Sequence, residues 1–417
     1  MIIRARTVVT MDGAPVHNGA VAISDSQIID VEKFPEVSAR HPGKKIVDLG
    51  EQALLPGLIN VHCHLDYTCL RGKIPPPKSF AHWICEINAE KADLSHEHYV
   101  ASINEGFAEA KRFGTTTIAN LTAFPELISQ IHAPVRTWWF AELIDVRSPE
   151  RANEIVDLAI ESLGRARPPG APWGLAPHAL FTASRDLYWR CQEVARREKI
   201  LLTTHLAESR EEMEMFRHGS GPLYEFMQRI DRPMNDCGKE TPAEKFVGRL
   251  GDASLPAQWI VAHLNELAES DFKLLKKLTS KFHIVHSPRS RDYFGHSGFP
   301  FEKLRALGFN ICLGTDSLAS NDSLSLFAEM RAFQRSEPGI SPDKILEMVT
   351  VNGARALRQR NKLARIRPGF RADLIAIPCS GTDNLFEQIL AFDGPVAWML
   401  LDGKQERNSP APANVSR

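Results

Sequence analysis

Residues 54–64 read LLPGLINVHCH, and the reading of that stretch decides the fold. An apolar run leaves a Pro56-Gly57 turn and ends on His62 and His64, with Cys63 between them. Alternate side chains of a strand point to opposite faces, so the two imidazoles project together and Cys63 enters the layer behind them. Such a pair acquires chemical meaning if other strands end in residues of the same kind.

Downstream of His64 the text alternates strand-like runs with helical stretches, the rhythm of a parallel sheet. The first strand ends at His64, and TTTIANL (115–121), VRTWWFAEL (135–143) and WGLAPHA (173–179) read as the next three. ILLTTHLAE (200–208), WIVAHL (259–264), KFHIVHSP (281–288) and FNICLGTD (309–316) complete eight. Gly114 and Gly308 stop the helices ahead of two of them. In SREEMEMFRHG (209–219), Ser209 and Glu212 have capping-box spacing and Gly219 is a stop. SPDKILEMVTVNGARALRQ (341–359) reads as one closing helix, with Ser341 as cap and Pro342 in its first turn.

Eight such units predict an α/β fold, a (β/α)8 TIM barrel over residues 55–366. Short strands broken by Asp12-Gly13, Asn18-Gly19 and Pro42-Gly43 precede it, and RPGFRADLIAIP (367–378) and PVAWMLLDG (395–403) follow it. Residues 1–54 and 367–407 are therefore expected to pair as a small composite β-sandwich domain, with the tail 408–417 disordered.

Composition narrows the function. With 43% hydrophobic and 24% charged residues in 417, the chain can bury a large core, and a net charge of −1 gives no reason to expect nucleic acid or anionic lipid as partner. No apolar run reaches the roughly 18 residues of a membrane span, and no signal-peptide segment precedes Asp12-Gly13, so a cytoplasmic protein is expected. The seven cysteines are scattered and never spaced C-x-x-C, which argues against a disulfide framework and a zinc finger.

In a barrel the chemistry sits at the C-terminal strand ends. There the first strand carries His62 and His64, the fifth His205, the sixth His263 and the eighth Asp316. A lone buried histidine is more often a satisfied core residue than a ligand; four with an acid at one rim are a different matter. Three imidazoles and a carboxylate suit one divalent transition metal, zinc or iron, which lowers the pKa of a bound water toward about 7. Glu208, three residues beyond His205, is placed as general acid and base, and Asp316 both as ligand and as acceptor of the water's proton. Strand four offers no lysine to bridge a second metal, so the site reads as mononuclear. His178 is read as a substrate contact or an outer hydrogen-bonding group. His96 and His98 begin a helix, where positions two apart diverge, and read as surface. TCLRGKIPPPKSFAHWICEIN (68–88) reads as a stiff, proline-rich excursion above the rim, where Trp83 either stacks on a substrate ring or anchors the loop.

The segments PGLINVHCHL, GTTTIANL, APHALFTAS, THLAES, VAHL, LGTDSLASNDSL, ARALRQ and RPGFRADLIAI, in that order, resemble the amidohydrolase superfamily. The resemblance covers nearly the whole chain and lies with the branch of cytosine-deaminase-like, triazine-hydrolase and S-adenosylhomocysteine-deaminase enzymes. It implies His62, His64, His205 and Asp316 as metal ligands, Glu208 and His263 as proton-handling or polarising residues, and His178 at the substrate. It also implies hydrolytic attack on a C–N bond of an aromatic ring, releasing ammonia. SPRSRDYFGHSGFP (287–300) together with LGTDSLASN is most similar to aminodeoxyfutalosine deaminases, which makes Arg289, Arg291 and Tyr293 candidates for contacts with an adenine-bearing nucleoside. Two departures bear on substrate: Glu266 stands where relatives often have a histidine, and Ser287-Pro288 where they have a cysteine-proline pair. The rival expectations are a triazine-type chlorohydrolase or guanine-type deaminase, and a non-catalytic scaffold on a retired hydrolase fold. A small heterocycle or nucleoside is the expected partner, and a homodimer the default assembly.

Overall fold

Turn chemistry sets the first strands. In the computed structural model, which describes residues 1–250, 258–381 and 383–406, β1 (Ile2–Val8), β2 (Val16–Ser24) and β3 (Gln27–Lys33) pair antiparallel in succession. On its other edge β1 changes partner midway, pairing with β4 (Ile46–Asp48) through Ile2–Arg4 and with β5 (Gln52–Pro56) through Thr7 and Val8. A helix the sequence reading did not anticipate, Phe34–Arg40, carries Pro35 in its first turn and packs Val37 against Ile2, Ala20 and Ala22. The tail 408–417 lies outside the described residues.

The alternating segments form a curled parallel sheet. Its strands are β6 (Leu58–His64), β7 (Thr115–Thr122), β8 (Arg136–Leu143), β9 (Trp173–Pro177), β10 (Leu201–Leu206), β11 (Trp259–His263), β12 (His283–His286), β13 (Asn310–Leu313) and β14 (Asp316–Ser317). They pair in the order β13-β12-β11-β10-β9-β8-β7-β6-β14. Every residue of β6, β7, β10 and β11 is buried, as expected of parallel strands covered on both faces. The helix Arg185–Glu198 shows how one face is covered: Leu187, Tyr188, Cys191, Val194 and Ala195 recur at three- and four-residue spacing and are all buried, with Ser184 capping the first turn.

The eighth strand differs from its expectation in a useful way. It is two pieces, β13 paired with β12 and β14 paired with β6, joined by Gly314 and Thr315. Gly314 N–H donates to His286 O and Thr315 N–H to His62 O, so this stretch carries both ends of the sheet. A Cβ at Gly314 would lie 2.8 Å from His62 O and 2.9 Å from Val285 Cγ2, which only glycine avoids.

β15 (Leu374–Pro378), β16 (Trp398–Leu401) and β17 (Lys404–Glu406) continue the N-terminal sheet, β15 pairing antiparallel with β5. The two chain ends thus share one eight-stranded sheet. The closing helix is two, Pro342–Met348 and Val351–Ala356. The β-branched run Val349-Thr350-Val351 breaks it: Thr350 leaves helical geometry at φ −130° and ψ −97°, and Val349 O instead accepts from Ile59 N–H. Ser341 precedes the first of these helices without a side-chain cap bond.

Two compact units emerge. One comprises Met1–Ile59, Ala108–Thr117 and the described residues from Ser325 onward; the other comprises Asn60–Phe107 and Ile118–Leu324 and contains every candidate site residue. Among the described residues no helix is long and apolar enough to cross a membrane. Gly314→Ala is expected to destabilise the fold by roughly 1–3 kcal/mol, the usual cost of overpacking. A urea midpoint equal to that of the unaltered protein would refute the close-approach argument.

Candidate active site

The site begins with an asparagine. Asn60 Nδ2 donates to Thr315 Oγ1 at 2.8 Å and Thr315 N–H reaches Asn60 Oδ1 at 3.3 Å, both side chains fully buried. This pins the first strand to the residue before Asp316. Asp316 Oδ1 consequently lies 3.6 Å from His62 Nε2 and 3.8 Å from His64 Nε2. His205 completes the group, its Nε2 3.2 Å from His64 Nε2 and its ring centroid 5.0 Å from that of His62. Cys63 lies behind, its thiol facing Ala119 O at 3.6 Å.

Backbone strain gathers here. Ala207, His263, Leu264 and Asp316 all adopt positive φ, between 50° and 75°, although none is glycine. Each such residue costs on the order of 1–3 kcal/mol, and such strain concentrates where a side chain must be aimed against local preference.

The donor set suits a cation. His205 Nδ1 donates to His178 O at 2.8 Å, so the proton is on Nδ1 and Nε2 is a lone pair. That lone pair faces His64 Nε2, an arrangement that a shared positive centre makes favourable. Neither ring nitrogen of His62 has a hydrogen-bond partner among the described residues, although the side chain is wholly buried. An orphaned buried polar group costs about 1–3 kcal/mol, which ligation would remove. His62, His64 and Asp316 bring ligand atoms within 4.8 Å of one another, and so do His62, His205 and His263, and His64, Glu142 and His205.

Electrostatics shift several of these side chains in directions that suit a cation. Burial, then the neighbouring rings of His62 and His205, hold His64 well below the usual imidazole range, and burial with His62 brings His205 down to about 4. Burial alone would raise Asp316, but His62, His263 and His64 around it outweigh that and hold it well below the carboxylate range. Glu208 goes the other way: burial, reinforced by Asp316 and Glu212, lifts it well above the ordinary value. Its Oε2 is 3.6 Å from His263 Nε2.

The surroundings hold these groups in place. Ser209 caps the helix Arg210–His218, but Glu212 reaches past the expected capping-box partner to accept from Glu208 N–H at 2.8 Å, fixing the backbone of the acid itself. Glu211 accepts from Phe80 N–H and Ala81 N–H at 2.7 and 2.9 Å, anchoring the start of the helix Phe80–Ala92. Trp83 therefore stands on a helix, not on an extended excursion, with its ring edge-on to Phe294 at 4.9 Å. A cavity of about 160 Å³ opens beside the metal-type ligands, and Trp83, His178, Glu208 and His263 line it, with Glu142 and Lys91.

Not every candidate converges. Arg289 is absent from the cavity lining and ion-pairs with Asp322; Arg291 pairs with its neighbour Asp292. Tyr293 donates to Ile74 O at 2.9 Å and Pro75 O at 3.0 Å, bracing the proline run. Glu266 accepts from Ser297 N–H at 3.1 Å. The sequence reading passed over Glu142, which the strand-end rule applied to β8 would have found; its Oε1 is 3.6 Å from His64 Nδ1 and burial lifts its carboxyl to about 7. It also passed over Ser290, whose hydroxyl donates to Asp316 Oδ2 at 2.7 Å from a loop helix with no local signal.

Ser290 leaves Asp316 Oδ1 as the oxygen nearest the histidines. Ser290→Ala is expected to weaken zinc affinity about 10–100-fold, the usual effect of removing an outer hydrogen bond to a ligand. Competition against a chromophoric chelator checks this, and an unchanged affinity would show that the hydroxyl does not orient Asp316.

Comparisons with known proteins add to this geometry. The chain is 28% identical over 383 residues to a 5-methylthioadenosine/S-adenosylhomocysteine deaminase of Syntrophobacter fumaroxidans, covering 88% of this chain and 81% of the relative. In structure it is similar to Helicobacter pylori aminofutalosine deaminase in complex with methylthio-coformycin, with a TM-score of 0.86, 22% identity and coverage of 97% and 99%. An adenosine deaminase from Xanthomonas campestris with bound zinc superposes at a TM-score of 0.79, with 22% identity and coverage of 97% and 92%. The amidohydrolase family pattern matches residues 53–404, nearly the whole chain, and the protein belongs to the amidohydrolase family, hydrolases of carbon–nitrogen bonds.

Proposed function

We propose that the protein is a metal-dependent deaminase of an amino-purine carried on a nucleoside, of the aminodeoxyfutalosine or methylthioadenosine kind. The observation that carries this is the meeting of His62, His64, His205 and Asp316 beside a buried Glu208 whose carboxyl burial lifts well above its ordinary value. In this reading those four residues hold one divalent ion, zinc or iron, which supplies Lewis acidity and lowers the pKa of a bound water toward about 7.

The chain's own residues do the rest. Asp316, ionised and steadied by Ser290, takes the proton of the attacking water as oxygen bonds to the amino-bearing ring carbon. Glu208 delivers its proton to the adjoining ring nitrogen, so the addition leaves no unbalanced charge on the ring. The carbon–nitrogen bond then breaks: the amine leaves as ammonia with the proton held by Asp316, the hydroxyl proton passes to Glu208 and restores its carboxylic acid, and the ring keeps the oxygen as a carbonyl. His263, 3.6 Å from Glu208, polarises the oxygen that develops at that carbon.

A cavity of about 160 Å³ is smaller than the roughly 300–1,000 Å³ of most ligand pockets, so it takes the ring and leaves the sugar at the mouth. His178 and Trp83 contact that ring in this reading. Arg289, paired with Asp322 at the margin, would reach substrate only by exchanging partners. The same reading makes the curled sheet a closed (β/α)8 barrel over residues 55–366, since β13 and β14 flank a two-residue join. It makes residues 1–54 and 367–407 a composite β-sandwich, because Ile3, Val21 and Leu54 share one core with Leu374 and Leu400. A cytoplasmic homodimer without nucleic-acid or membrane partner completes it.

Ammonia release from the zinc-loaded protein tests the proposal, across aminodeoxyfutalosine, methylthioadenosine, S-adenosylhomocysteine, guanine and a chlorinated triazine. Turnover is expected with at least one adenine nucleoside; turnover of guanine or the triazine alone would replace this reading with a rival, and inertness toward all, without bound metal, would favour a non-catalytic scaffold. Glu208→Gln is expected to retain zinc while kcat falls about 10²–10⁴-fold. Full activity would remove Glu208 from proton transfer.

A further inference from the structure

The loop that presents His178 and Phe181 to the candidate active cavity has a second face. Thr182 lines that cavity and also a separate cleft of about 730 Å³. Three cations on the wall of the cleft, Arg232, Lys245 and Arg249, are each less than a tenth exposed.

Their partners are unequal. Arg232 donates to Phe181 O at 2.9 Å and Leu180 O at 3.2 Å, and forks onto both oxygens of Asp236 at 2.8 and 3.1 Å. That occupies Asp236. Lys245 Nζ is left 3.8 Å from Asp236 and 3.5 Å from Glu240, while Arg249 lies 3.5 Å from Asp236 and donates to Ala183 O at 3.2 Å. A further acid on the wall, Asp145, is engaged by Ser184, which donates from N–H at 2.7 Å and from Oγ at 2.5 Å. Aromatic rings hold both stems in place, Phe216 5.5 Å from Lys245 Nζ and Tyr188 4.9 Å from the Arg249 guanidinium.

Buried cations are costly unless a charged partner makes close hydrogen bonds to them. Lys245 and Arg249 are desolvated and fixed in position, and their carboxylates stand beyond good hydrogen-bond distance. We propose that this cleft binds a small oxyanion, a phosphate or carboxylate group, between Lys245 and Arg249, where it competes with Asp236 for them. Arg supplies a planar fork and Lys a point charge, the usual pairing for such groups. The same arginines hold the carbonyls of Leu180, Phe181 and Ala183, so the anion would sit directly behind the substrate loop.

Calorimetric titration of the full-length, metal-loaded protein with inorganic phosphate, pyrophosphate and citrate at low ionic strength tests this. Saturable one-to-one binding of at least one of them is expected. Phosphates binding in preference to citrate would assign phosphate chemistry, and the reverse would assign carboxylate chemistry. Arg249→Met and Lys245→Met should each lower the affinity about tenfold or more, the worth of one charge-assisted hydrogen bond. Asp236→Asn, nearly isosteric, should raise it, because the competing carboxylate is gone; this variant keeps the proposal testable if the others fold poorly. No saturable binding, binding indifferent to all three substitutions (as an anion held at the histidine cluster would be), or weaker binding in Asp236→Asn would overturn the proposal.

Discussion

The structure depends on one constraint, the joining of β6 to the stretch that follows β13 in the curled parallel sheet. Asn60 and Thr315 exchange hydrogen bonds across 255 residues of sequence, and Gly314 lets the backbones approach. That join secures the pairing of β14 with β6, which sets Asp316 opposite Cys63 and so beside His62. The positive φ of Asp316 is the local cost of turning its carboxylate back toward β6. A long-range polar pair at full burial loses more when broken than it contributes when formed, so the join is also a point of cooperativity.

Charge placement follows from that join. The rings of His64, His205 and His263 all lie within about 6 Å of that of His62, and burial holds those three below the usual imidazole range while Asp316 is held well below the carboxylate range. Glu208, three residues beyond His205 and facing Asp316 and Glu212, is lifted well above the usual carboxylate range by the same burial. Two acids beside the same histidines are thus shifted in opposite directions, the separation that the proposed acid and base roles call for. The rim is braced by backbone-directed carboxylates: Glu212 on Glu208, Glu211 on the helix of Trp83.

Much of this was legible before any coordinates, and the reason is physical. Parallel strands buried on both faces leave near-continuous apolar runs, and the polar residue that ends each run stands out, as His64, His205, His263 and Asp316 do. Helix caps are local, so Ser209 and Gly219 bounded their helix correctly. What was not legible depends on contacts distant in sequence. Ser290 touches Asp316 across 26 residues, and nothing near Ser290 announces it. Tyr293 and Arg291 sit beside a plausible substrate motif but spend their polar atoms on the proline run and on Asp292. The closing helix broke at Val349–Val351 because β6 needed a carbonyl that helical periodicity alone does not reveal.

Anomalous diffraction at the zinc edge, from crystals of protein grown with zinc, bears most directly on the central claim. The account predicts a single peak about 2.0–2.2 Å from nitrogens of His62, His64 and His205 and from an oxygen of Asp316. A peak elsewhere, two peaks of equal height in the cavity, or no peak in a protein that still turns over would contradict it.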